Sequence, residues 1–218
     1  MEKCVIFDMD GVIIDSEPIH QECERKIFKL LGINILEEVH NALVGATDEA
    51  MWRSIETEYD LPINISEIIQ LKKSLYMEYL KREVYIKPIP YISELIADLY
   101  NNGFSLALAS SSPHEQIDYI LNDFGIKPFF HTIISGEDIY EGKPHPEIFL
   151  KASESVGVDP SRCVVIEDSY NGVMAAKSAR MKCIGFVNPT SGTQDLSKAD
   201  KIVHSIKEVS VGIIKGML

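Results

Sequence analysis

The sequence predicts a doubly wound α/β fold, a parallel-sheet (Rossmann-like) core carrying an inserted α-helical cap domain. Three observations predict it. Short apolar runs recur at 5–7, 106–109, 132–134, 164–166 and 183–187, without the alternation of a half-exposed strand, which is the pattern of strands buried on both faces. Helical periodicity fills most of the intervals between them, and alternating β and α segments of this length form a parallel sheet with helices on both faces. Between the first and second runs, however, no strand pattern occurs at all.

Val5-Ile6-Phe7 is the first strand, closed by Asp8-Met9-Asp10-Gly11. The stretch that follows reads as helices only: 19–31 stopping at Gly32, a run capped by Thr47-Asp48 and reaching Glu58, and another from Ser66-Glu67 to Arg82. Lys87-Pro88-Ile89-Pro90 then forms a stiff connector. Alternation resumes with a helix over 91–102 that stops at Gly103, a strand over 106–109, a helix over 115–124, a strand at 132–134 and a helix over 147–156. Asp159-Pro160 opens the next unit, with a strand at 164–166, a helix over 172–179 and a strand at 183–187. The expected domains are therefore a core of residues 1–14 and 88–218 and a helical cap of residues 15–87. An insertion at that point hangs over the carboxyl ends of the strands, where open α/β sheets hold their ligands; the insert looks like a lid.

The chain has 218 residues, 45% hydrophobic and 25% charged, an ordinary globular composition. Thirty-three acidic against 21 basic residues give a formal charge of −12, which argues against nucleic-acid and anionic-membrane partners. No apolar run approaches the roughly 18 to 20 residues needed to span a bilayer, and Met1-Glu2-Lys3-Cys4-Val5-Ile6-Phe7-Asp8 meets an acid too soon for a signal peptide. The expectation is a cytoplasmic protein, a monomer with a dimer as the alternative. Cys4, Cys23, Cys163 and Cys183 form no C-x-x-C pair and read as small buried hydrophobes. The six histidines lack i,i+4 spacing, so zinc is not expected.

The strand ends carry the chemistry. Asp8 and Asp10 close the first strand, Ser110-Ser111-Ser112 the second, Gly142-Lys143-Pro144 follows the third, and Glu167-Asp168-Ser169 closes the fourth. Brought to one sheet edge, four carboxylates demand a cation. All-oxygen ligation points to Mg²⁺, which pairs a few carboxylates with substrate phosphate oxygens and water. Hydroxyls, loop N–H groups and one lysine suit that phosphate. The pattern points to Mg²⁺-assisted phosphoryl transfer, one aspartate attacking phosphorus and the other acting as acid and base.

Asp8-Met9-Asp10-Gly11-Val12-Ile13-Ile14-Asp15-Ser16-Glu17-Pro18 resembles the first signature of the haloacid dehalogenase superfamily. Ser110, Lys143 in Gly-Lys-Pro-His-Pro, and Glu167-Asp168-Ser169-Tyr170-Asn171-Gly172 are similar to its other three, in order. The resemblance spans the chain and is nearest to the β-phosphoglucomutase and sugar-phosphate phosphatase branch. It implies Asp8 as nucleophile and metal ligand, and Asp10 as general acid/base with its main-chain carbonyl on Mg²⁺. It implies Ser110, Ser111 and Lys143 as phosphate-binding, and Glu167 and Asp168 as metal ligands. His20 and Gly45 would be the cap residues meeting substrate. An acid at position 10 favours a phosphatase or phosphomutase over other branches.

Related β-phosphoglucomutases carry an arginine three residues after the glycine aligned with Gly45, where this chain has Asp48, and a lysine just after the serine motif, where it has Pro113. Losing two cations and gaining an acid disfavours a bisphosphate intermediate. The expected function is an Mg²⁺-dependent phosphatase acting on small phosphorylated sugars or related metabolites through an aspartyl phosphate, with β-phosphoglucomutase as the alternative. Plainer readings compete at single positions. Lys143 alone reads as a surface lysine, and Lys72 and Lys73 as a solvated helix face rather than substrate contacts. Glu167-Asp168-Ser169 alone reads as a helix cap, and Phe28 and Trp52 read as helical core. Two other classes fit less well: a phospho-acceptor signalling domain, which is shorter and lacks a helical insert, and an inactive binding module, which would be expected to lose Asp8 or Asp10.

Overall fold

The structure, a computed structural model, describes residues 3–43, 47–82 and 86–218. Two compact units divide the chain: residues 1–15 with 87–218, and residues 16–86.

The larger unit is built on a sheet that, among the described residues, has six parallel strands. They are β1 (Cys4–Phe7), β2 (Ser105–Ser110), β3 (Thr132–Ser135), β4 (Cys163–Glu167), β5 (Lys182–Phe186) and β6 (Lys201–Val203), in the order β3-β2-β1-β4-β5-β6. Cys4, Val5, Ile6 and Phe7 are fully buried, as are Leu106 to Ala109 and Cys163 to Ile166, which explains why these strands lack alternation: both faces are covered. One face packs through Ile6, Ala107, Val165 and Cys183 against Phe149, Ala152 and Ala176. The order reverses at β1, with β2 on one side and β4 on the other. The crevice at the carboxyl ends of those strands is the topological switch point, where open α/β sheets bind ligands.

Within this unit α5 (Ile92–Asn101), α6 (His114–Asp123), α7 (Glu147–Ser155), α8 (Tyr170–Ser178) and α9 (Val211–Met217) surround the sheet. Gly103, at φ +79°, ends the α5 region as the sequence requires. Ser169 caps α8 by accepting from the Gly172 N–H at 3.0 Å. All four cysteines are buried and unpaired as disulfides, as expected of small core residues.

The smaller unit holds α1 (Glu17–Leu31), α2 (Glu37–Ala42), α3 (Asp48–Glu58) and α4 (Ile65–Lys81). Gly32 stops α1 at φ +71°, and the Thr47 side chain caps α3 by accepting from the Ala50 N–H at 3.2 Å. Asn64, rather than Ser66, caps α4. Its core is Ile27, Phe28, Met51, Trp52 and Ile55, so Phe28 and Trp52 pack as predicted. Lys72 does not face solvent as expected. It is 6% exposed, with its ammonium 2.6 Å from Glu24 and 2.5 Å from Asp48. Glu24 also pairs with His40 at 2.6 Å, so one largely buried polar network joins α1, α2, α3 and α4.

Candidate active site

Asp8 leaves β1 with its N–H donating to the Ile166 carbonyl of β4 at 3.0 Å, and so stands at the switch point. The chain then turns. Ile13 and Ile14 N–H groups donate to the Met9 carbonyl at 2.8 and 3.1 Å, and Gly11 N–H to the Ile14 carbonyl at 2.8 Å. Gly11 sits at φ +81°, and a Cβ there would stand 2.0 Å from Asp168 Oδ2; the turn and the close approach both require glycine.

Around Asp8 the strand ends converge. Lys143, from the loop between β3 and α7, donates to Asp8 Oδ1 at 2.5 Å and to Glu167 Oε1 at 2.8 Å. Glu167 is fixed from its other oxygen, which accepts from the Ser169 N–H at 2.7 Å and the Ser169 hydroxyl at 2.9 Å. Carboxylate oxygens of Asp8, Glu167 and Asp168 lie within 4.8 Å of one another, all buried. Asp10 points its carboxylate to the serine run instead: Ser112 Oγ donates to its Oδ2 at 2.7 Å and Ser110 Oγ at 3.4 Å. Ser111 is exposed, its carbonyl close against Gly136.

Residues 5–186 match the haloacid dehalogenase-like hydrolase family. The chain is a haloacid dehalogenase-like hydrolase. It is 30% identical to the phosphorylated carbohydrates phosphatase of Thermotoga maritima (strain ATCC 43589 / DSM 3109 / JCM 10099 / NBRC 100826 / MSB8), over 95% of this chain and 99% of that protein. It is also 30% identical to the β-phosphoglucomutase of Bacillus subtilis (strain 168), over 97% of this chain and 93% of that protein. Its fold is similar to that of CbbY from Rhodobacter sphaeroides solved in complex with phosphate, with a TM-score of 0.85 and 26% identity, covering 99% of this chain and 100% of the other. The chain therefore belongs among phosphatases and phosphomutases of this family.

The electrostatics of this hydrolase site are those of an acid cluster short of positive charge. Burial pushes the Asp8 carboxyl up to about 7; Lys143 opposes the rise, and Glu167 and Asp10 add to it. Burial likewise raises Asp168 well above the ordinary carboxylate range, helped by Glu167 and Asp8. Burial works against the Lys143 ammonium, but Asp8 and Glu167 outweigh it and hold its pKa above the usual lysine value. Three buried carboxylates share one ammonium, and their oxygens are hard donors within reach of one ion. That donor set fits Mg²⁺.

The two predicted cap positions are His20 and Gly45. His20 belongs to α1 in the smaller unit, stacked on the Tyr76 ring at 4.6 Å between centroids. Gly45 lies outside the described residues. Sequence reasoning missed the loop after β5. Ser191 Oγ donates to Asp168 Oδ2 at 2.5 Å, Thr190 Oγ1 lies 2.6 Å from Asp15 Oδ1, and Asn188 Nδ2 donates to the Gly11 carbonyl at 3.0 Å. Its one readable signal was Asn-Pro-Thr-Ser directly after an apolar run, a turn marker that says nothing of carboxylates.

Proposed function

We propose that this enzyme is an Mg²⁺-dependent phosphatase of small phosphorylated sugars or related metabolites, working through an aspartyl phosphate on Asp8. The observation that carries the reading is the meeting of Asp8, Lys143, Glu167 and Asp168 at one strand edge, with Asp10 held beside them by Ser110 and Ser112. Asp8 attacks phosphorus as the bond to the leaving oxygen breaks, and Asp10 gives that oxygen its proton. Asp10 then takes a proton from water as the water attacks the aspartyl phosphate, restoring the Asp8 carboxylate. Ser110, Ser111 and Lys143 bind the phosphoryl oxygens. Asp8, Glu167 and Asp168, with the Asp10 main-chain carbonyl, are the ligands we assign to the cation. The chemistry a bound Mg²⁺ supplies is compensation of the repulsion between an anionic nucleophile and an anionic phosphate.

Hydrolysis is favoured over mutase chemistry by two positions, one in each unit. A mutase has to hold a second phosphate, which requires spare positive charge. Asp48, at the position expected to be arginine in a mutase, instead engages Lys72, which Glu24 also holds. Pro113, at the position expected to be lysine, is the N-cap residue of α6. The phosphatase and the phosphoglucomutase relatives stand at the same 30% identity, so these positions carry the argument. The charge of −12 supports a small-molecule substrate over nucleic acid or an anionic membrane. Among the described residues no helix is long and apolar enough to cross a membrane. We read the protein as cytoplasmic, a monomer with a dimer as the alternative.

The test is an Mg²⁺-dependent assay on hexose and pentose phosphates, with β-glucose 1-phosphate tried with and without glucose 1,6-bisphosphate. Phosphate release from several sugars is the expected result, falling about 10³-fold or more in Asp8→Asn and ceasing on chelation. Bisphosphate-dependent formation of glucose 6-phosphate with little free phosphate would establish the mutase instead. Full activity of Asp8→Asn would sink both.

A further inference from the structure

The loop after β5 touches three points of the site that no sequence motif connects to it. Asn188 is buried and bonds the Gly11 carbonyl in the turn that follows Asp8 and Asp10. Thr190 lies 2.6 Å from Asp15, the last residue of the larger unit before the chain enters the smaller one. Ser191 donates to Asp168 Oδ2, the same oxygen against which Gly11 packs without room for a Cβ. The loop is itself internally tied: Asn188 Oδ1 accepts from the Thr190 N–H at 3.1 Å and lies 2.8 Å from the Thr190 hydroxyl, and the Ser191 N–H donates to the Asn188 carbonyl at 3.3 Å. It therefore acts as one piece.

We propose that Ser191 is a positioning residue for the cation. Its hydroxyl, held by the strap 188–191, fixes the Asp168 carboxylate by one oxygen and leaves the other to the Asp8–Glu167–Asp168 cluster. The inference rests on the proposed cation site and adds a residue to it. The reasoning is steric and entropic. An Asp side chain has two rotatable bonds, and Asp168 is otherwise held among the described residues by packing against Gly11. A carboxylate whose free rotation is removed before binding loses less entropy when the cation arrives. Glu167 is locked in the same manner by Ser169, so the two adjacent acids each have a serine of their own. Partners that orient a metal ligand affect affinity by about 10–100-fold when removed.

The experiment measures Mn²⁺ binding to the whole protein by loss of the free-ion paramagnetic resonance signal, with no substrate present. Ser191→Thr and Ser191→Val differ by a hydroxyl against a methyl at the same shape. Wild type and Ser191→Thr are expected to bind with similar affinity, and Ser191→Val about 10-fold or more weaker, with unchanged melting in the absence of metal. Equal affinity in Ser191→Val and Ser191→Thr overturns the role of Ser191 and leaves the cation site intact. Wild type that binds no Mn²⁺ overturns the cation site as well. A Ser191→Val variant that melts lower without metal, yet binds as wild type once folded, shows a structural serine and also overturns the proposal.

Discussion

Gly172 is required by the carboxylate that closes the preceding strand. A Cβ at this position would stand 1.7 Å from Glu167 Oε1, and Glu167 has nowhere to retreat, because Ser169 holds its other oxygen and Lys143 the first. Gly172→Ala is expected to displace Glu167 and release Lys143, lowering kcat/KM by about 10–100-fold while costing about 1–3 kcal/mol of stability from overpacking. Steady-state kinetics with denaturant melts of the same variant check this; unchanged kinetics would mean the carboxylate swings free of its partners. At this scale the sequence was readable where a residue sits in an ordered motif. Asp8, Lys143, Glu167 and Asp168 meet as their positions at successive strand ends suggest. It was unreadable where a contact depends on a loop folding back. Ser191 and Thr190 carry no pattern that points to Asp168 or Asp15. Lys72 misled for a related reason: a lysine in a helix gives no sign that two acids from other helices surround it.

Among the elements, the network of α1, α2, α3 and α4 makes the smaller unit sensitive to charge. Burial opposes the ionised Glu24 carboxylate, but His40 and Lys72 outweigh it and hold the carboxyl below its ordinary value. Burial opposes the Lys72 ammonium in turn, and Asp48 and Glu24 raise it above the ordinary lysine value. A depressed carboxyl contributes stability that is present above its unfolded value and is lost as pH falls through the folded one. A raised ammonium contributes stability that is present below its unfolded value and is lost as pH rises through the folded one. The Glu24–Lys72 pair is therefore at full strength between the carboxylate and lysine ranges, neutral pH included. Lys72→Met leaves Glu24 and Asp48 without their shared cation and is expected to cost on the order of 3 kcal/mol at pH 7. The loss should shrink in acid, where Glu24 takes a proton. Urea unfolding at both pH values measures it, and a cost that does not change with pH would remove Glu24 from the account. The long elements here were legible from periodicity and stops such as Gly32 and Gly103. β6 and α2 were not: Lys201–Val203 offers too few apolar residues to register as a run, and Glu37–Ala42 is too short for a helical period to declare itself.

For the whole molecule, the division into two compact units lets each have a stability of its own. The chain passes between them at Asp15–Ser16 and again at Ile86–Lys87. The smaller unit has fewer residues with which to bury apolar surface, and small units bury a smaller fraction of it; it also includes charged groups in its interior. The larger unit has a sheet whose central strands are buried on both faces. Two cores in one chain allow more than one cooperative transition, where a small single domain shows one. The chain contains one tryptophan, Trp52, and it is fully buried in the core of the smaller unit. Its fluorescence therefore reports that unit alone, whereas circular dichroism reports all helices and strands together. Denaturant titration is expected to give a Trp52 transition at lower denaturant than the main transition in circular dichroism. The proposed cation ligands Asp8, Glu167 and Asp168 all belong to the larger unit, so Mg²⁺ should move the second transition and leave the first in place. At about 100 times its dissociation constant the shift corresponds to about 2.7 kcal/mol. Coincident transitions that Mg²⁺ moves together would mean that the units unfold as one, and that cation binding stabilises the smaller unit through the rest of the molecule.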